Sequence, residues 1–262
     1  MTAPTSAAPL APKAQAGAPT WRRVASQGAF ETRMVLRNGE QLLVTIFLPV
    51  LVLIGLTLSS VVELTTGGSR RIDLIAPGVL ALAVMSTAFT SQAIATSFDR
   101  RNGVLRLLAT TPLGREGLLL GKLLGVAAVE AVQIVVIGGT ALVLGWRPDA
   151  GGIASALVVL ALGTAAFTSL ALLVAGTLRA EAVLAGANLL LVLLAVGSGV
   201  VVPVSQLPGN LQQVARLLPS GALGEGLRGA LVAGAIPAWS VVVLLAWTAA
   251  LSWAAARWFQ WD

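Results

Sequence analysis

The chain has 262 residues, 56% hydrophobic and 11% charged, with a mean hydropathy of +0.89 and a formal net charge of +6. A soluble domain carries about 25% charged residues, so no soluble core accommodates this much Leu, Val and Ala. With neither Cys nor His, the chain offers no disulfide, thiolate metal site, His-ligated haem or imidazole acid–base chemistry.

Leu and Val recur in runs of about 20, the length a helix needs to cross a hydrocarbon core. Barrel strands would alternate over about 10 residues, and no such pattern is present. The sequence therefore predicts an all-α polytopic membrane protein. Residues 1–20, rich in Ala, Pro, Thr and Ser with the single charge Lys13, lack the basic start and apolar core of a signal peptide and read as a disordered tail. Residues 21–41 mix Val24, Phe30, Met34, Val35 and Leu36 with Arg22, Arg23, Arg33 and Arg37. This pattern suits an amphipathic helix at the membrane surface, arginines toward water or headgroups, and equally suits an ordinary lead-in.

The first predicted span is 42–62, with Pro49 inside it to kink it or release a backbone carbonyl. A short loop around Gly67-Gly68 leads to the second span, 75–97. Its Ser86, Thr87, Thr90, Ser91 and Gln92 form a polar stripe that prefers protein or a cavity to lipid. Residues 98–117 are charged. The third span, 118–144, contains Glu130 and Gln133, and the fourth and fifth, 153–178 and 182–202, form an antiparallel hairpin. Residues 203–237, punctuated by Pro203, Pro208, Pro219 and Pro237, hold helices too short to span and read as re-entrant or surface elements. The sixth span, 238–256, has Trp239 near one end and Trp253, Trp258 and Trp261 near the other, an interfacial belt.

Six spans put both termini on one side. With the N-terminus inside, Lys13, Arg22, Arg23, Arg33, Arg37, Arg100, Arg101, Arg106, Arg115, Lys122, Arg179 and Arg257 are internal. Only Arg70, Arg71, Arg147, Arg216 and Arg228 are external. The positive-inside bias places segment 98–117 in the cytoplasm. The positive charge thus reads as topology, not as a nucleic-acid surface.

No phosphate-binding loop, His-Glu-x-x-His or Cys cluster is present, so ATP hydrolysis and metal binding are not expected of this chain. Glu130 is the one credible intramembrane acid. It serves in ion coupling, or else it faces a water-accessible vestibule or bonds a polar neighbour such as Gln92 or Asn188. Gln92, Glu130, Gln133 and Asn188 are the candidate path residues.

Segment 100–122 resembles the permeases of type 2 ABC exporters, with a daunorubicin-resistance-like drug efflux permease as the closest subgroup. The family pattern E/D-R-x-x-G-T-L-E-x-L-x-x-T-P, ending in L-x-G-K, is met by Asp99-Arg100, Gly103-Val104-Leu105, Leu107-Leu108-Ala109-Thr110-Thr111-Pro112 and Leu120-Gly121-Lys122. Arg106 stands where the family is often acidic. Leu207-Pro208, Leu218-Pro219 and Glu225-Gly226-Leu227-Arg228 match the family's region before the last span.

The resemblance implies a coupling helix seated in a cytoplasmic ABC ATPase, present in two copies that bind ATP and Mg. Its contacts would come from Asp99, Arg100, Arg101, Val104, Leu105, Arg106, Leu108, Thr111 and Pro112. Val104, Leu105 and Leu108 share one apolar face, with Leu108 as central anchor. The resemblance also implies pairing with a second copy or close paralogue, a bacterial plasma membrane location and efflux of a hydrophobic or amphipathic substrate. Export of cell-surface polysaccharide or lipid, and a non-transporting assembly role, are the alternatives.

Overall fold

The computed structural model describes residues 18–59, 70–200 and 202–260. Most of the expected tail and the Gly67-Gly68 loop lie outside these residues. All regular structure among the described residues is helical: α1 (Thr20–Arg37), α2 (Gly39–Leu58), α3 (Arg71–Arg101), α4 (Val104–Ala109), α5 (Gly114–Val143), α6 (Ala150–Thr177), α7 (Ala180–Gly197), α8 (Gly209–Leu217), α9 (Pro219–Ala233) and α10 (Ala238–Trp258). Six of these, α2, α3, α5, α6, α7 and α10, are long and apolar enough to cross a membrane. The chain is a multi-pass membrane protein.

Local chemistry sets the helix starts. Asn38 Oδ1 accepts from the Gln41 amide at 3.2 Å to cap α2, and Asp149 Oδ1 accepts from the Gly151 amide at 3.0 Å to cap α6. Asp73 in the first turn of α3 accepts from the Arg70 amide at 3.2 Å. Such caps give helix-initiating amides the partners they lack within the helix. Pro208, Pro219 and Pro237 stand at the starts of α8, α9 and α10, where a missing N–H costs nothing.

The core is built around α3, the most buried span. Ile75, Val79, Met85 and Phe89 are enclosed by α6, α9 and the neighbouring spans. Its polar stripe is inside the protein: Ser86, Thr87, Thr90 and Gln92 are all buried. Helices α2 and α7 are the least buried spans and expose Phe47, Leu51, Leu189 and Val192.

Both α2 and α3 contain a π-helical stretch, Leu43–Phe47 and Met85–Ser91. Pro49 cannot donate to the Thr45 carbonyl four residues before it. That carbonyl accepts from Gln133 Nε2 of α5 at 2.6 Å, and the same amide donates to Thr87 Oγ1 at 2.7 Å. Gln133 thus ties together three spans where two of them depart from α geometry.

The bundle has two dissimilar ends. At one lie α1, α4, the α6–α7 turn and the end of α10, where the Gln260 amide donates to the Gly176 carbonyl at 3.2 Å. At the other lie α8, α9 and the α5–α6 turn, where the Asp149 amide donates to the Leu231 carbonyl at 2.9 Å. Helix α9 is buried along most of its length against α6, α3 and α10. Helix α8 stays at the surface with Val214 and Leu217 exposed.

Candidate coupling site and groove

Helix α4 is a short helix held between the two longest spans, α3 and α5. Gly103 and Gly114 flank it with φ +73° and +68°, values that side chains with a Cβ rarely adopt. Gly103 ends α3 and lets α4 begin at the next residue. This is the physical reason for a glycine four residues after Asp99.

Three sets of bonds fix α4. Arg100 Nη2 donates to the Leu178 carbonyl at 2.8 Å, and Arg101 pairs with Glu181 in the α6–α7 hairpin. Thr111 Oγ1 donates to the Leu108 carbonyl at 2.6 Å, closing the end of α4. Arg23 Nη1 of α1 donates to the Pro112 carbonyl at 2.7 Å.

The third set is centred on Lys122. Its side chain is only 3% exposed, and its ammonium lies 2.8 Å from Asp99 Oδ2 and 3.1 Å from Glu31 Oε1. Gln27 Nε2 also donates to Glu31 Oε1 at 2.9 Å. Asp99 closes α3, Glu31 belongs to α1 and Lys122 to α5, so one buried cation joins α1 to both spans that flank α4.

Close packing accompanies the charges. A Cβ on Gly28 would stand 2.8 Å from Leu124 Cβ, and one on Gly125 2.6 Å from Glu31 Cβ. Helix α1 therefore docks on a glycine seam of α5, and the small-residue spacing at Gly121 and Gly125 serves α1 rather than another span.

One expectation for the coupling segment is corrected. Leu105 is 1% exposed and packed inside the protein, so it anchors α4 to its own chain and cannot face a partner. Val104 and Leu108 are half-buried, and Arg106 is exposed. The outermost apolar side chain is Leu107, 68% exposed.

The four candidate path residues do not converge. Gln92 donates to Thr96 Oγ1 at 3.1 Å and borders a small cleft of about 50 Å³ between α1, α3 and α5. Gln133 is consumed by Thr45 and Thr87. Glu130 is buried and bonds neither Gln92 nor Asn188. Its Oε2 accepts from Thr164 Oγ1 of α6 at 2.6 Å, and the same hydroxyl lies 2.9 Å from the Leu160 carbonyl. Of the readings of Glu130, the bond to a polar neighbour is the one present, with Thr164 of α6, 34 residues away, in place of Gln92 or Asn188.

Glu130→Gln retains an acceptor for Thr164 and is expected to leave thermal stability unchanged. Glu130→Leu costs about 1 kcal/mol, because Thr164 falls back on Leu160. Melting midpoints of the two variants in detergent check this.

Asn188 alone borders an open groove. This groove, about 380 Å³, is walled by Gln41 and Val44 of α2, by Ser86, Thr90, Ser91 and Ile94 of α3, and by Leu184, Asn188 and Leu191 of α7. Asn188 Nδ2 donates to its own helix at the Leu184 carbonyl, 2.9 Å away. Its lining mixes hydroxyls, amides and the Glu40 carboxylate with aliphatic side chains, between the two least buried spans.

The sequence model of the ABC-2 family transporter protein matches residues 63–257, which include α3, α4, α5, the α6–α7 hairpin and α9. The chain belongs to the ABC-2 transporter family. No curated protein is significantly similar to it in sequence. As a member of the ABC-2 family it is a membrane transport component, and permeases of this family work with an ABC ATPase.

Proposed function

We propose that this ABC-2 protein is the membrane subunit of an exporter for hydrophobic or amphipathic compounds, drug-like or lipid-linked, driven by ATP hydrolysis on a separate cytoplasmic subunit. The observation that carries the reading is the tethered lever. Helix α4 presents Leu107 outward while Leu105, Arg100, Arg101 and Pro112 bind it to the rest of the chain. A push on Leu107 is delivered to α3 and α5 with no slack segment between, because packed elements move as units.

The groove between α2, α3 and α7 supports the substrate class. Its mixed wall suits a molecule with one polar and one apolar side, and its flanking spans leave apolar surface for a second copy to cover. In this reading two copies, or this chain and a close paralogue, face each other across the paired grooves, and both termini are cytoplasmic.

The test is reconstitution into liposomes with and without a candidate ABC ATPase. The chain alone should release no phosphate from ATP. The complex should hydrolyse ATP faster with an amphipathic substrate present and move that substrate across the bilayer. Hydrolysis by the chain alone would end this division of labour.

A further inference from the structure

We infer that the elbow between α1 and α2 is a binding seat for the headgroup of an anionic phospholipid. The elbow encloses an open concavity of about 570 Å³ lined by Phe30, Arg33, Met34, Arg37, Asn38 and Gly39. It stands where α1 meets the first residues of the span α2. Arg33 and Arg37 are four residues apart on α1, so their guanidinium groups are neighbours of like charge, an arrangement disfavoured until an anion lies between them. Planar guanidinium forks match phosphate oxygens.

The nearby acids do not neutralise this pair. Glu31, the one carboxylate of α1, is turned away to Lys122 at 3.1 Å. Glu40 borders the groove on the other side of the elbow. Asn38 commits its Oδ1 to the Gln41 amide.

The same concavity has an apolar side. Phe30 and Met34 are both more than half exposed, and they are placed to cover the first methylenes of an acyl chain while the arginines hold the phosphate. Gly39 has no atom within 4 Å of where a Cβ would stand, so the floor of the seat is open. The seat rests on the membrane placement of α1 and is independent of the ATPase reading, since a chain that couples to no ATPase would still bind the lipid.

The purified full chain, exchanged in mild detergent into equal amounts of phosphatidylglycerol and phosphatidylcholine, is weighed intact by native mass spectrometry. The wild type should retain phosphatidylglycerol in preference to phosphatidylcholine. Arg33→Gln combined with Arg37→Gln should lower retained phosphatidylglycerol about tenfold or more and leave phosphatidylcholine unchanged. Arg147→Gln, an exposed arginine at the opposite end of the bundle, should change neither. Equal retention of both lipids by the wild type, undiminished phosphatidylglycerol in the double variant, or an equal loss of both lipids would each overturn the assignment.

Discussion

Lys122→Met should be the most damaging single substitution at the α1 end. It leaves the Glu31 and Asp99 carboxylates, 16% and 28% exposed, facing each other with no cation between them. Removing one partner of a buried ion pair costs about 3–5 kcal/mol. The lower figure applies here, because both carboxylates retain some access to water. The expected result is a lower melting midpoint and release of α1 from α5. Cysteines at Ser26 and Arg106, introduced into a chain with none of its own, would carry spin labels that report a broadened α1–α4 distance.

The electrostatic origin is separable from packing. Adding Glu31→Gln and Asp99→Asn to Lys122→Met removes the uncompensated charges and should recover most of the stability. It should restore the narrow distance only in part, because the ion pairs are gone while the glycine seam and the Arg23 bond to the Pro112 carbonyl still hold α1. A triple variant as unstable as the single one would assign the loss to the lysine stem instead.

Arg228→Met should have an effect at least as large, at the opposite end. The guanidinium is 6% exposed. It donates to the Leu74 carbonyl at 3.2 Å, to the Gly199 carbonyl at 3.0 Å, to the Val200 carbonyl and to Glu225 Oε1 at 2.9 Å. Glu225 Oε1 in turn accepts from the Val204 amide at 3.1 Å. One side chain of α9 therefore binds the start of α3 and the chain that follows α7. Methionine leaves these carbonyls and a carboxylate without their donor, about 3 kcal/mol or more.

Arg228→Lys should fail nearly as badly, since an ammonium reproduces no planar fork. Hydrogen exchange should rise in residues 202–208 and at the end of α7, while α1 stays protected. A lysine variant with wild-type exchange would show that charge, not the fork, holds this end.

The contrast between these two hubs shows what a single sequence reveals. The spans were legible because length and apolarity alone define them, and the stripe from Ser86 to Gln92 correctly marked α3 as interior. A proline without its N–H announced a free carbonyl, and the structure supplies Gln133 as the donor. The reach of Gln133 across 88 residues to Thr45 had no local signal. In a membrane protein apolar faces meet lipid as readily as protein, so periodicity groups Leu105 with Leu108 without saying which way that face points. Only the tether at both ends of α4 fixes it, turning Leu105 inward and Leu107 out. Glu31 and Lys122 gave each side of an ion pair but not the pairing, because α1 could be placed on α5 only through the glycine seam.

The central claim is that α4 is the surface on which an ATPase subunit acts, and disulfide-scanning across α4 tests it most directly. Single cysteines at 105, 106, 107 and 108 would be paired with cysteines in the cleft of a co-expressed ABC ATPase and oxidised in membranes. Position 107 should crosslink most efficiently, with a yield that changes between ATP-bound and nucleotide-free states. Position 105 should not crosslink in either state, because Leu105 is enclosed by its own chain. Leu107→Asp should abolish co-purification of the ATPase, and Leu107→Ala should weaken it about thirtyfold, the cost of truncating an interface anchor. Crosslinking at 105 in preference to 107, or no crosslink anywhere on α4 together with intact assembly of Leu107→Asp, would contradict the account.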